Sequence, residues 1–184
     1  MPRHFLATAF VAAALVASVP VSAQRFSGKF SGFNEVGALG AGETGAILSE
    51  GTGTIKLRLD RSTGTLAYEL TYSGLSSEVK QSHIHFGRVH TAGGIMVFFC
   101  TNLGNGPAGT PACPATGGTV TGTLSAASVV AVPGQNVTAG DFDAITDALF
   151  ADAAYANIHT ARFPAGEIRA QVKKQHDDDD GDDK

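Results

Sequence analysis

The chain has 184 residues, a formal net charge of −4 and 43% hydrophobic residues. A chain of this length fits one globular domain, and its slightly acidic balance without a basic stripe excludes a typical nucleic-acid-binding protein. Glycine occurs 23 times, and short runs rich in Thr, Val, Ile and Tyr recur between glycine-containing turns. This pattern is typical of an all-β fold.

Residues 1–23 have the organisation of a signal peptide. Arg3 and His4 give a positive start, residues 5–19 are apolar, and Pro20 precedes the small residues Val21-Ser22-Ala23. The apolar run is too short for a typical membrane span and no later stretch is long enough, so no span is predicted. The mature chain is expected to be secreted or periplasmic, and an uncleaved N-terminal anchor is the alternative.

Period-two alternation of apolar and polar residues predicts the first strands. The first candidate covers residues 26–33, and residues 37–51 are rich in Gly and Ala, which predicts a loop. Residues 53–60 and 65–72 both alternate and are joined by a short turn. This arrangement predicts an antiparallel hairpin.

The downstream part of the chain continues the strand pattern. Further strands are predicted at residues 79–86, 95–100, 118–124, 154–160 and 167–172. The second of these is apolar on both faces, which predicts a central strand covered on both sides. About eight short antiparallel strands over residues 24–174 predict an all-β fold, namely a Greek-key antiparallel β-sandwich.

One short helix is expected to pack across an end of the sandwich. Thr138 is a good N-cap, and Asp141 follows three residues later in a relation that resembles a capping box. Phe142, Ile145 and Leu149 then recur at helical spacing.

Two cysteines, Cys100 and Cys113, flank a loop rich in Gly and Pro. In an exported chain this arrangement predicts one disulfide. A metal-binding role is less favoured, because the sequence has no Cys-x-x-Cys spacing.

The C-terminal residues 175–184 include six aspartates and no apolar side chain. Such a run of like charge predicts a disordered, solvated tail. Weak binding of divalent cations by the aspartates is the alternative.

Histidines are concentrated in the predicted strand 79–86. His83 and His85 are two residues apart, so they share one strand face roughly 6–7 Å apart at the backbone. Ile84 between them points to the opposite, apolar side, and His159 lies on another predicted strand. Two imidazoles on one face can converge on one ion, which makes this face the candidate metal site.

Several motifs resemble those of the chordin-type (CHRD) domain family. They are His83-Ile84-His85-Phe86-Gly87, residues 93–97, residues 155–160 and residues 164–171, and Asn34-Glu35-Val36 resembles the opening motif of that family. The resemblance covers about residues 26–172, with Gly37-Ala38 where prolines are common and Ala170 where glycine is usual. It implies an extracellular domain. In chordin such domains belong to a larger secreted binding protein, which makes an extracellular protein a candidate partner.

A fainter resemblance links residues 83–87 to the His-x-His-x-Phe-Gly stretch of copper–zinc superoxide dismutases, which are also Greek-key sandwiches. It implies that His83 and His85 bind copper, with His159 as the later strand ligand and His90 as the loop ligand. The zinc half has no counterpart in this chain, so the resemblance extends to the copper half alone.

The leading hypothesis is therefore an exported, non-catalytic CHRD-type sandwich that binds copper or another transition metal. The proposed ligands are His83, His85 and His159, with His90 as a fourth. One alternative is a copper-only, superoxide dismutase-like oxidoreductase.

The other alternative is a protein-binding domain without metal. In it the strand histidines form a hydrogen-bonded polar layer with Asn157, Glu167 and Arg169. Glu167 and Arg169 are expected to share a strand face and to form structural ion pairs there. No nucleophile–base pair is visible, because Ser82 and the histidine that follows it face opposite ways. No catalytic residue is predicted, and the oligomeric state is left open.

Overall fold

The computed structural model describes residues 23–37 and 45–175. Nearly all of the predicted signal peptide (residues 1–23) and of the predicted acidic tail (residues 175–184) lies outside these residues. The described residues form nine strands and one α-helix: β1 Gln24–Phe30, β2 Thr52–Asp60, β3 Thr65–Ser73, β4 Val79–Phe86, β5 Ile95–Thr101, β6 Gly118–Leu124, α1 Phe142–Phe150, β7 Ala154–Thr160, β8 Ile168–Gln171 and β9 Lys173–Lys174. Within residues 23–37 and 45–175, no helix has the length and apolar character that a membrane crossing requires.

The strands form a two-sheet antiparallel sandwich, which confirms the predicted all-β class. One sheet has the order β6-β3-β2-β1-β9, and the other has the order β5-β4-β7-β8. The chain crosses to the second sheet for β4 and β5 and then returns, so that β6 pairs with β3. A return of this kind to an earlier neighbour is the connection expected in a Greek key.

The predicted hairpin of β2 and β3 is confirmed, with Asp60 opposite Thr65 at the turn. Ile55, Leu57 and Leu59 point into the core, while the residues between them are exposed. The alternation that predicted this hairpin therefore reflects one buried and one solvated face of the sheet.

The prediction of a central strand at residues 95–100 was wrong in position, because β5 lies at the edge of its sheet. Its two faces are nevertheless buried, as expected. Irregular segments cover the edge: Thr101 N donates to Pro111 O at 2.9 Å, and Val130 N donates to Met96 O at 2.9 Å. These hydrogen bonds satisfy backbone groups along the edge, and the burial of both faces is why the strand is apolar on both sides, as a central strand would be.

Two predicted element boundaries also differ from the structure. The helix is capped by Asp141, whose Oδ1 accepts from Ala144 N at 3.0 Å. Thr138 lies too far upstream, because Gly140 has φ 85° and interrupts any earlier start. The first strand ends at Phe30, so Phe33 lies in a short 3₁₀ turn with 68% of its surface exposed.

The disulfide between Cys100 and Cys113 is present. It closes a loop over a sequence separation of 13 residues, and loops of this size are worth about 3 kcal/mol in the chain-entropy model. We expect the double variant Cys100→Ser plus Cys113→Ser to lose about that much free energy of unfolding, measured by urea denaturation. Wild-type protein under strong reducing conditions is the control and should lose the same amount, and an unchanged urea midpoint in both would contradict the prediction.

Candidate metal centre

The candidate site lies on the face of the β4–β7 pair that points away from the core. In the register of these strands, His83 is opposite Asn157, Gln81 is opposite His159 and His85 is opposite Tyr155. On the other face, Ile84, Ala156 and Ile158 are fully buried in the sandwich core. The β-pleat thus brings three histidines from two strands to one side of the sheet.

The three histidines form a compact, buried cluster. His83, His85 and His159 each offer a ring nitrogen, and these nitrogens lie within 4.8 Å of one another. The ring centroids of His83 and His159 are 4.8 Å apart, and those of His83 and His85 are 5.3 Å apart. The side chains are 0%, 8% and 7% exposed in chain order.

Backbone carbonyls orient two of the rings through hydrogen bonds to their Nδ1 atoms. His85 Nδ1 lies 2.9 Å from Gly93 O, and His159 Nδ1 lies 2.8 Å from Pro164 O. A carbonyl oxygen only accepts, so each Nδ1 carries the proton and donates it. In a neutral ring the Nε2 atom then has a free lone pair. Residue 93 has to be glycine, because a Cβ atom at this position would collide with the Phe86 carbonyl.

The side-chain amide of Asn157 lies between the two Nε2 atoms. The atom that it directs toward them lies 3.0 Å from His85 Nε2 and 2.9 Å from His159 Nε2. Two lone pairs are satisfied only by donors, so the Asn157 NH2 group belongs on this side, where its two protons serve both rings. Asn157 therefore occupies the point toward which both lone pairs are directed.

His83 has no such partners. The residue is 0% exposed, and within the described part of the chain neither Nδ1 nor Nε2 of its ring has a hydrogen-bond partner. Its ring packs edge-on against Phe98 at 4.6 Å. A buried polar atom without a partner costs about 1–3 kcal/mol, so two such atoms on one ring call for a physical explanation.

All three rings are held in the neutral form. Burial, together with the neighbouring rings of His159 and His85, lowers the pKa of His83 to about 2, and the nearby Asn157 side chain opposes this shift only in part. Burial also lowers the pKa of His85 to about 4, and it lowers the pKa of His159. Neutral imidazole is the form that coordinates a metal, so no proton has to leave these rings near neutral pH.

A stack of flat side chains fixes the position of His85. Its ring lies parallel to the Tyr155 ring at 4.7 Å, and the Arg169 guanidinium carbon lies 3.3 Å from the centroid of the Tyr155 ring. Arg169 in turn donates to Arg88 O at 3.0 Å and to Thr91 O at 2.9 Å. The loop that covers the cluster is therefore tied to the strand beneath it.

The family model for the CHRD domain matches residues 26–172. The chain belongs to the CHRD domain family. No curated protein and no solved structure matches the chain. The fainter resemblance to the copper half of superoxide dismutase gains no support from these comparisons, whereas the motifs in residues 83–87 and 155–160 now have a family assignment and a shared location in the fold.

The fourth predicted ligand of this CHRD domain lies apart from the other three. His90 is exposed in the turn after β4, with a left-handed φ of 61°. It is not a member of the cluster that His83, His85 and His159 form. The side chain that contacts two of these rings is instead Asn157, which the sequence analysis had considered only as part of a metal-free polar layer.

Sequence reasoning missed Glu35 as a site residue of the CHRD domain. The residue is 6% exposed and its Oε1 atom has no hydrogen-bond partner among the described residues. Burial raises the pKa of Glu35, although the Val36 N–H and the charge of Arg169 oppose this shift. Its place in the motif Asn34-Glu35-Val36 was the signal that could have identified it. Glu35 lies 122 positions before Asn157, with which its carboxyl interacts.

Glu167 and Arg169 do not form the ion pair that we had expected. The Glu167 carboxylate instead accepts from Ser49 Oγ at 2.6 Å, Thr160 Oγ1 at 2.7 Å, and both Ser76 N at 2.9 Å and Ser76 Oγ at 2.8 Å. Burial by itself raises the pKa of Glu167, but these hydrogen bonds outweigh it and lower the pKa. Glu167 is therefore a structural anchor with no hydrogen bond to the histidine cluster.

Proposed function

We propose that this CHRD domain binds one transition-metal ion through His83, His85 and His159, and that it acts as an exported, non-catalytic metal-handling or extracellular binding module. The observation that carries the proposal is the His83 ring, which is fully buried and whose two nitrogens have no hydrogen-bond partner among residues 23–37 and 45–175. A hydrogen-bonded polar layer leaves that ring unexplained, whereas a metal ion would give it a partner. Imidazole suits copper and zinc, and copper binds such sites more tightly.

The hydrogen bonds of the other two rings support coordination through Nε2. Metal-binding histidines almost always donate their second ring N–H to a carbonyl, a carboxylate or water, which fixes the ring orientation. His85 and His159 both donate from Nδ1 to backbone carbonyls. Their Nε2 lone pairs are thereby directed to the same place, beside the His83 ring.

Metal binding requires a small local rearrangement. Nitrogen ligands at about 2.0–2.1 Å from a metal lie on the order of 3–4 Å from one another. The three ring nitrogens lie within 4.8 Å of one another, so they would have to move closer. Asn157 would either turn away or offer its side-chain oxygen as a further ligand. In either case the ion replaces the hydrogen bonds that this amide makes to His85 and His159.

The first test is the metal content of untagged protein. Protein that is stripped with a chelator and then dialysed against cupric salt is expected to keep one ion per chain, with nitrogen hyperfine structure in its EPR spectrum. We expect His83→Ala to lower copper affinity by more than about 100-fold, since loss of a partner behind a metal ligand already costs about 10–100-fold.

The matched control for this test is His90→Ala. Because His90 is exposed and lies apart from the cluster, this variant should bind copper like the wild type. At a free copper concentration about 100 times the dissociation constant, copper should add about 2.7 kcal/mol to the free energy of unfolding of the wild type and of this control. Equal copper content in wild type and His83→Ala would refute the proposal, and wild type without metal would favour the metal-free binding domain.

The same copper-loaded protein tests the oxidoreductase alternative. A redox enzyme must admit its substrate to the metal, yet none of the three ligand side chains is more than 8% exposed. We therefore expect no dismutation of superoxide above that of the His83→Ala protein. If the wild type dismutates superoxide and both His83→Ala and His85→Ala abolish this activity, the proposed function would be catalysis and not metal handling.

A further inference from the structure

The outer face of the five-stranded sheet carries a cluster of basic side chains. Arg25 and Lys29 project from β1, and Lys56 and Arg58 project from β2, all of them exposed. Glu69 on β3 offsets part of this charge by pairing with Lys56 at 2.8 Å. We call these four basic residues the basic face. The sequence contains no basic stripe because this face is assembled from two strands about 30 residues apart in the chain.

The register of the sheet concentrates this charge. Arg25 lies directly opposite Arg58 across the β1–β2 pair. Two cations in directly opposite positions create a positive potential on this face of the sheet, which favours an anion placed between them. A groove of about 540 Å³ runs over this point, and Arg25, Lys56 and Arg58 are among its lining residues.

The chain itself supplies an acidic segment beside this groove. After β9 the backbone N–H of Gln175 donates to Arg25 O at 2.8 Å, and Gln175 also lines the groove. The next nine residues, 176–184, contain six aspartates. We propose that this acidic segment docks on the basic face of its own sheet, with aspartate carboxylates bridging Arg25 and Arg58.

The geometry of the sheet allows such docking. Neighbouring strands lie about 4.8 Å apart, so Arg58 on β2 is about 10 Å across the sheet from β9. Nine residues span up to about 30 Å when extended, which is more than this distance. The docked segment would also neutralise a face that otherwise attracts external polyanions. Under this proposal the acidic segment occupies the basic face, whereas a freely solvated tail would leave that face open.

A spin label at the far end of the acidic segment tests the proposal in the full mature chain. Lys184→Cys provides the attachment site, since Cys100 and Cys113 are joined in a disulfide. We expect paramagnetic broadening of the amide signals of Ser27 and Lys56, and much weaker broadening at Thr91, which lies in the loop over the outer face of the other sheet. The broadening should be lost near 1 M salt, where the Debye length falls to about 3 Å.

Two sets of variants decide the result. Replacement of all six aspartates by asparagine, or Arg25→Gln plus Arg58→Gln, should abolish the broadening. Arg88→Gln plus Arg162→Gln removes two exposed basic residues outside the basic face and should leave the broadening intact. Broadening that is absent in the wild type, or that persists in the asparagine variant, would overturn the proposal. Heparin is the competitor: loss of the broadening as heparin is added to the wild type supports docking on the basic face, and broadening that heparin leaves unchanged would place the segment elsewhere and overturn the proposal.

Discussion

The metal-free domain is expected to lose stability steeply as the pH falls from about 6.5 toward 4. In the unfolded chain a histidine titrates near pH 6.5, whereas burial lowers the pKa of His83 to about 2, that of His85 to about 4, and that of His159 as well. The unfolded state therefore binds more protons than the folded state throughout this interval, so the free energy of unfolding decreases with decreasing pH. At pH values about one unit or more above 6.5 all three rings are neutral in both states, and their contribution is constant.

The size of the effect follows from the number of rings. A ring whose folded-state pKa lies well below the pH contributes up to about 1.4 kcal/mol per pH unit, so His83 and His85 together contribute up to about 3 kcal/mol per pH unit, and His159 acts in the same direction. Between pH 6.5 and pH 4 these two rings alone remove up to about 7 kcal/mol, which is comparable with the total stability of about 5–15 kcal/mol that domains have. Glu35 acts in the opposite sense, because its raised pKa favours the folded state as it takes up a proton. The share of His85 is fully lost by about pH 4, and that of His83 continues to decline toward pH 2.

Urea denaturation in the presence of a chelator, repeated at intervals between pH 7.5 and 4.5, measures this dependence. His83→Leu should reduce the slope by the share of one proton, because one buried ring is removed. His90→Gln should leave the slope unchanged, since His90 is exposed. A free energy of unfolding that is flat between pH 7 and pH 5 would mean that these rings are protonated or solvated in the folded protein, and it would remove the basis for a neutral ligand set.

The sequence predicted those parts of the fold that depend on local periodicity. The β2–β3 hairpin and the strand that carries His83 and His85 follow from alternation alone, and the pleat places both rings on one face. Sheet order does not follow from periodicity. We expected β5 in the centre because both of its faces are apolar, but both faces are buried in the same way whether a strand or an irregular segment covers its edge. The helix start was misplaced because the φ of Gly140 is decided by the loop before it.

The candidate site was predictable to a similar extent. His159 can converge with His83 and His85 only if β7 lies beside β4. The order of the motifs suggested this neighbourhood, but periodicity could not establish it. The role of Asn157 between two rings depends on where backbone carbonyls of two loops fall, namely those of Gly93 and Pro164. Glu35 comes from a segment that packs over the sheet from far away in sequence. Contacts of this kind are set by loop conformation, for which a single sequence carries little signal.

Glu167→Ala is expected to be among the most destabilising single substitutions in the domain, at roughly 3–5 kcal/mol. The carboxylate is 0% exposed and joins three segments that are distant in sequence through Ser49, Ser76 and Thr160. The hydroxyl groups can turn toward other acceptors after the substitution, but the Ser76 N–H cannot. Hydrogen bonds to a charged group are worth about 1.5–3 kcal/mol each, and a buried donor left without an acceptor adds its own cost.

Glu167→Gln separates charge from shape. The amide fits the same space, but it offers one acceptor oxygen where the carboxylate offers two, and its NH2 group faces donors. We expect an intermediate loss of stability, measured by urea denaturation at pH 7. Glu69→Gln is the matched control, because Glu69 is exposed and its pair with Lys56 is a surface ion pair worth at most about 1 kcal/mol. If both glutamine variants lost the same small amount, the four hydrogen bonds to Glu167 would be replaceable by water.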